Sequence, residues 1–576
     1  WQILRFGYTS TGAFNVPATV EGEGLEVDKF DAEALRFHFE QFVGKVMKGA
    51  KDAGIESLKT VEIDSYEVGG QNWTDEIAES FQQKFGYDLI PWLPAMTGRV
   101  IESPEHTGGV LQELRQHQSD LMVENYFGEF TRLANEYGLE TYIEPYGWGP
   151  FDELAAGGKA DRLMGEFWVR EQEYNGRIMA AISSAHIYGK KVVSAESFTS
   201  INTVNWYGHP YFYKHYGDEM WARGINETMF HRFAHQPNNY IKPGMTMDSI
   251  GSHIDRTQTW WNNGGKAWFK YLARGSYLLQ QGVPAADFLV HLGDVAPLRV
   301  GNANNTSVPN GYGYDYTNTD VLVNRVSVKD GMLVLPEGTS YKALHLFYND
   351  DPEFKHVEIS LREGKGTPEI WNVDDGTIEK IKGYELDNSR LTTTLPLEPF
   401  ASRFILIRRD DNEPEYNGVH SSVVDDFYAH RSRHNIMSTF TKPWTVEFDP
   451  AWAGPGEVTF NSLIDWKDSD IEGIKHYSGT ANYQTTFQLD STQLAERGPV
   501  YLDLGDVQQI AEVTVNGQSF DTLWKPPFVI DIRNVLKPGE NTLHVSVTNT
   551  WVNRLIGDEA LPDTSGYSMT GDTVPW

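Results

Sequence analysis

Between residue 24 and about residue 282, short apolar stretches alternate with amphipathic segments, and this order constrains the chain more than any other feature. Apolar residues at every second position, or in short continuous runs, make strands. Apolar residues three and four apart make helices, and a chain that alternates the two buries both as a parallel sheet wrapped by helices. "GLEVDKFD" is strand-like, and "DAEALRFHFEQFVGKVMKGA" follows as a helix, with Asp31 as its N-cap and Leu35, Phe39, Phe42, Val43, Val46 and Met47 at helical spacing. A second helix carries Ile77, Phe81 and Phe85. A longer one, with Leu111, Leu114, Leu121, Phe130, Leu133 and Tyr137, stops at Gly138 and passes directly into "LETYIEPYG". Gly189 punctuates the switch into "KKVVSAESF", and "KAWFKYLARGSYLLQQG" closes the region as a helix capped by Gly282. Six strands are expected, at 24–29, 58–67, 139–146, 159–168, 190–198 and 225–235. Eight would close a (β/α)8-type barrel, so the first strands are expected upstream of Trp1; an open sheet is the alternative.

The expected fold class is therefore α/β plus all-β. An N-terminally incomplete catalytic (β/α) barrel over 1–299 precedes a small α/β or β connecting module over 300–350, entered through the loop "GNANNTSVPNGYGYDYTNTD". A β-rich module and linker, including "DDNEPEYNG", cover 351–425, and a sandwich covers 426–560 with a tail at 561–576. In the sandwich, short alternating strands such as "WTVEFDP", "ANYQTTFQL" and "NTLHVSVTNT" surround Asn516-Gly517, a strong hairpin signal.

Charge and composition narrow the function. The net charge of −32, from 80 acids against 48 bases, repels polyanionic nucleic acid, and no run of about 18 apolar residues could span a bilayer. With no cysteine, disulfides, thiolate nucleophiles and Cys-ligated zinc are excluded together. Seventeen tryptophans and 28 tyrosines supply flat faces that pack against the C–H faces of sugars, although most belong to the core.

Four strand-end sequences carry a glutamate: Glu67 in "DSYEVG", Glu144 in "YIEPYG", Glu166 in "MGEFW" and Glu196 in "SAESF". In a barrel, all C-terminal strand ends converge on one face, so acids far apart in sequence meet around one pocket. Any one of them alone is explained by a salt bridge, but a ring of them is not. Glycoside hydrolysis needs such a set, with one carboxylic acid for the leaving oxygen and one carboxylate for water or the anomeric carbon. Trp73, Trp148 and Trp168 are candidate sugar platforms, and His231 and His235 in "HRFAHQ" are candidate partners for hydroxyls. Alternation puts Glu62 and Asp64 on one face with Tyr66, where they hold Glu67 in place or bind the sugar.

"GYTSTGAFN", "GLEVDK", "EIDSYEVGGQNWT", "MGEFW", "AAISSAHIYGKKVVSAESFTS", "HRFAHQP" and "GSHIDRTQTWW", in this order from about Arg5 to Gly282, together resemble glycoside hydrolase family 106, the inverting, calcium-dependent α-L-rhamnosidases. The resemblance implies that Glu67 is the general acid, Glu196 the general base and Glu166 a third essential acid, here assigned to calcium. Acid and base are exchangeable at this stage. The implied partner is a rhamnose-containing oligosaccharide or polysaccharide, which suits a periplasmic or extracellular protein. The C-terminal "WKDSDIEGIKHYSGTANYQTTF", "LDLGDVQQIAEVTVNG", "LWKPPF" and "TNTWVNRLIGD" resemble the jelly-roll, carbohydrate-binding-like sandwich that accompanies these domains and the family 2 hydrolases, and the favoured role is to buttress the barrel. The absence of the first barrel strands departs from the family pattern, and calcium ligands could lie there. The competing readings are a retaining barrel hydrolase of the β-galactosidase or β-glucuronidase type and a noncatalytic carbohydrate-binding protein.

Overall fold

The computed structural model describes residues 3–559 apart from 16–17, 170–174, 202–203, 239, 241, 247–249, 294, 303–311, 330–331, 339–343, 349–354, 362–366, 382, 388–389, 398–401, 409–435 and 496–497. The linker sequence at 410–418 and the tail at 561–576 lie outside the described residues.

Five of the six expected strands form one parallel sheet in chain order: β1 (Thr60–Ile63), β2 (Glu140–Ile143), β3 (Arg162–Trp168), β4 (Val193–Thr199) and β5 (Glu227–Phe230). The sheet curls into half a barrel. The expected strand at 24–29 does not join it. Glu26 and Gly24 bond instead to the backbone of Ala13 and Asn15, and Leu25 makes an isolated antiparallel bridge to Phe14. Glu26, Asp28 and Lys29 interrupt the apolar pattern of this segment. Lys29 pairs with Glu26 at 2.6 Å, and Asp28 accepts from Thr74 at 2.7 Å.

The helices around the sheet begin where their caps predict. Asp31 accepts from the Glu33 amide at 2.9 Å ahead of the helix Ala32–Phe39, which continues through a π-helical turn at Glu40–Gly44 into Lys45–Asp52. Gly138 ends the long helical stretch at φ +73, the left-handed conformation that glycine adopts without strain. Gly282 is not a cap: the helix Lys266–Leu279 ends at Gln280, two residues earlier.

Register decides which side chains face the helices. Ile63, Ile143, Leu163 and Val193 are paired neighbours across β1 to β4, and all four belong to the main apolar core under the helices. Because side chains alternate along a strand, residues one or three positions further along face the opposite, concave side. Those residues include Asp64, Glu144, Glu166 and Glu196.

In the C-terminal region a six-stranded antiparallel sheet runs in the order Gly456–Phe460, Trp444–Phe448, Thr480–Leu489, Gly539–Thr548, Ile510–Val515, Gln518–Ser519. Its buried face alternates regularly along Thr480–Leu489, and Asn516 and Gly517 turn the hairpin with φ of +50 and +84. This module is fused to the barrel by packing. Ile510 and Trp524 join the barrel core, with Trp524 at 5.4 Å from Tyr271, and the Trp551 amide donates to the Trp206 carbonyl at 3.2 Å. The "GSHIDRTQTWW" motif serves the same joint. Buried His253 meets Thr257 Oγ1 at 2.6 Å, Asp255 accepts from the Thr257 amide at 2.8 Å, and the Trp551 indole donates to the Thr257 carbonyl at 2.9 Å.

Candidate active site

The concave face gathers acids from four strands. Asp64 follows β1, Glu144 follows β2, and Glu166 and Glu196 lie within β3 and β4 as directly paired neighbours. Carboxylate oxygens of Asp64, Glu144 and Glu196 all lie within 4.8 Å of one another. Glu144 is buried, and neither of its oxygens has a hydrogen-bond partner among the described residues. Burial, reinforced by the charges of Asp64 and Glu196, therefore raises its carboxyl well above the ordinary range. The Tyr146 hydroxyl beside it offsets this only in part.

Burial also pushes the Glu196 carboxyl up to about 8; the hydrogen bond from Thr199 opposes the shift, while Glu166, Asp64 and Glu62 add to it. The Thr199 hydroxyl lies 2.5 Å from Glu196 Oε1, and His231 Nδ1 lies 3.3 Å from the same oxygen. Desolvation, then the charge of Arg232, lowers His231 to about 4, so its ring is neutral near pH 7. Desolvation, then the charge of Asp64, raises the Glu62 carboxyl to about 7.

Glu166 differs from the other acids in having a cation. Arg177, from the first turn of the helix Asn175–Ile187, bonds its carboxylate, as does the Trp168 indole N–H. Desolvation still raises its carboxyl, Arg177 opposes this, and Glu67 adds to it, so Glu67 lies within electrostatic reach of Glu166. Glu67 itself is exposed beyond β1 and accepts from Ser65 Oγ at 3.2 Å.

The other predicted site residues divide. Trp168 is half-buried beside Glu166, and His231 stands against Glu196. Trp148 is 70% exposed, with the Arg299 guanidinium 5.3 Å from its ring centre. Tyr66 does not line the pocket with Asp64: past the end of β1 the alternation lapses, and its ring is buried against Phe151 in the helix-side core. Trp73 packs against the small core around Ile77 and Phe81 instead of offering an open face. His235 is exposed and has no hydrogen bond among the described residues. Arg177, Tyr146 and Thr199 were missed by sequence reasoning. Tyr146 and Thr199 stand two and three residues beyond predicted acids, whereas no local pattern marks Arg177.

Residues 1–353 match the pattern of glycoside hydrolase family 106, described as alpha-L-rhamnosidase. A protein of Formosa agariphila, described provisionally as a β-glucuronidase, is 26% identical over 98% of this chain and 74% of its own length. The structure of a rhamnosidase from Novosphingobium sp. PP1Y shares the fold with a TM-score of 0.84 at 24% identity, over 96% of this chain and 63% of that one. The chain thus spans less than two thirds of that rhamnosidase. A match to more than half of its residues, over the part that carries the acid cluster, means that the chain belongs to glycoside hydrolase family 106, the α-L-rhamnosidase family.

Proposed function

We propose that the chain is an exo-acting α-L-rhamnosidase that releases terminal L-rhamnose from oligosaccharides or polysaccharides with inversion at the anomeric carbon. The observation that carries this reading is the meeting of Asp64, Glu144, Glu166 and Glu196 on one concave face. Inversion requires a carboxylic acid that protonates the leaving oxygen and a carboxylate that takes a proton from water on the opposite face of the sugar. Glu67, at the rim, takes the first role and Glu196 the second. One observation favours the exchanged assignment: the Glu196 carboxyl, pushed up to about 8, has the character of a proton donor when no cation is near.

The donor set fits calcium, because it consists of hard carboxylate oxygens and includes both partnerless oxygens of Glu144. Asp64, Glu144 and Glu196 would hold it, rather than Glu166, whose negative charge is already met by Arg177. When bound, calcium supplies positive charge that keeps this cluster ionised and coordination positions for sugar hydroxyls. Trp168 offers a ring edge beside the acids, and His231 a neutral imidazole. The C-terminal sheets, read as a jelly roll, buttress the barrel. A polymeric substrate places the protein in the periplasm or outside the cell.

A glucuronide would bring a further carboxylate into a pocket already crowded with acids, whereas rhamnose is neutral; this favours the rhamnoside over the β-glucuronide. The test is turnover of 4-nitrophenyl α-L-rhamnopyranoside and 4-nitrophenyl β-D-glucuronide, with calcium and with a chelator, while NMR follows the anomer first released. Calcium-dependent release of β-L-rhamnose is expected. Release of glucuronic acid, or of α-L-rhamnose first, overturns the reading.

A further inference from the structure

We propose that Thr199, together with His231, is a positioning residue for Glu196, delivered to it by a break in the alternation of β4. The proposal rests on the assignment of Glu196 to the acid–base pair. Regular alternation would send residues 196 and 198 to the pocket and 197 and 199 to the helices. Instead, the pairing of β3 with β4 runs from Glu166↔Glu196 to Trp168↔Thr199, so three residues of β4 span the distance of two in β3. The extra residue is a bulge, a device that re-aims side chains near active sites.

Phe198 occupies the strained point of this bulge. Its φ is +66, a left-handed conformation that costs a residue with a Cβ and persists only where the surroundings impose it. Its ring is buried in the helix-side core, at 5.0 Å from Phe167, 5.2 Å from Tyr213 and 5.7 Å from Trp268. Residue 198 is thereby withdrawn from the pocket, and Thr199 comes back beside Glu196. The backbone is fixed there by hydrogen bonds from the Val169 amide to the Thr199 carbonyl at 2.8 Å and from the His231 amide to the Ser197 carbonyl at 3.1 Å.

Proton bookkeeping then assigns the roles. A hydroxyl has one proton, and the 2.5 Å contact directs it to Glu196 Oε1 in the carboxylate form that a general base requires. His231 Nδ1, at 3.1 Å from Thr199 Oγ1 and 3.3 Å from Glu196 Oε1, therefore faces two acceptors and carries the ring proton. Its Nε2 is left as an acceptor without a partner among the described residues. The imidazole thus holds the Thr199 hydroxyl, and the hydroxyl holds Oε1, so the chain His231–Thr199–Glu196 fixes the carboxylate and with it Oε2.

The test is steady-state kinetics on a rhamnoside at saturating calcium, with Tm recorded for each variant. Thr199→Val, which keeps the shape and loses the hydroxyl, should lower kcat about 10- to 100-fold with little change in KM, and Thr199→Ser should recover most of the loss. His231→Asn, whose amide replaces the Nδ1–H donor, should keep more kcat than His231→Gln. Wild-type kcat in Thr199→Val, or equal losses in the Val and Ser variants, overturns the proposal. Should Thr199→Val fail to fold, equal kcat in the two His231 variants overturns it. Glu196→Gln separates the two layers. If it keeps full turnover, the assignment of Glu196 itself falls; if it is inactive while Thr199→Val is fully active, the positioning role alone falls.

Discussion

The guanidinium of Arg177 pairs with the buried carboxylate of Glu166 and lies 5.8 Å from the ring centre of Tyr146, so one cation serves the acid-rich face from the helix layer. The pair's side chains are 29% and 7% exposed, so most of its hydration is lost. Removing the arginine strands a charge in that setting. Arg177→Met should destabilise the fold by about 3 kcal/mol in urea unfolding. Adding Glu166→Gln to it should restore part of the loss, because the stranded charge is then gone; strict additivity of the two substitutions would refute the coupling.

The leaving group distinguishes the acid from the base. Glu67→Gln should lower turnover of a natural glycoside roughly 10²- to 10⁴-fold and that of a 4-nitrophenyl rhamnoside far less, since nitrophenolate leaves without a proton. Glu196→Gln should impair both substrates by similar factors. The reverse pattern, measured as kcat on the two substrate types, would assign the proton donor to Glu196.

Stability should depend on pH and calcium together. Glu62 and Glu196 have folded-state values raised to about 7 and about 8 from an ordinary 4.5, so the folded protein binds more protons than the unfolded chain in that interval. Their contribution is fully present below about 4.5 and is lost as pH rises through 7 to 8. Tm in chelator should therefore fall from pH 5 to pH 8.5, and calcium should flatten the decline. Calcium titration calorimetry on Glu144→Gln should show greatly weakened binding, and wild-type affinity in that variant would remove Glu144 from the site.

The C-terminal sheets should act through stability. Trp524 is 6% exposed and packs against Tyr271 on a barrel helix. Trp524→Ala should cost about 3 to 5 kcal/mol and lower Tm, while KM of the protein that remains folded stays unchanged. A selective loss of affinity for polymeric substrate, at unchanged Tm, would indicate a sugar-binding surface in its place.

The readable part of the site was its acids. Glu144 follows an apolar run at the end of β2, and Glu166 and Glu196 follow apolar runs within β3 and β4; parallel-sheet pairing brings such positions together whatever the intervening sequence. The strand at 24–29 was misread because two apolar residues in alternation, Leu25 and Val27, resemble an edge strand, although Glu26 and Lys29 pair with each other and Asp28 with Thr74. Tyr66 was misplaced for a related reason. Alternation predicts facing only while the chain remains a strand, and β1 ends at Ile63.

The order of strands and helices, the cap at Asp31, the hairpin at Asn516-Gly517 and the acids destined for one face were determined by the sequence, since each follows from local spacing and backbone preference. Tertiary structure alone decided which acid received a cation, which remained without a partner and which was met by a hydroxyl and an imidazole. Arg177, Thr199 and His231 reach their carboxylates through helix placement, a bulge and a neighbouring strand. Electrostatic energies depend on separations of a few ångströms between residues as many as 35 positions apart, and no local pattern encodes them.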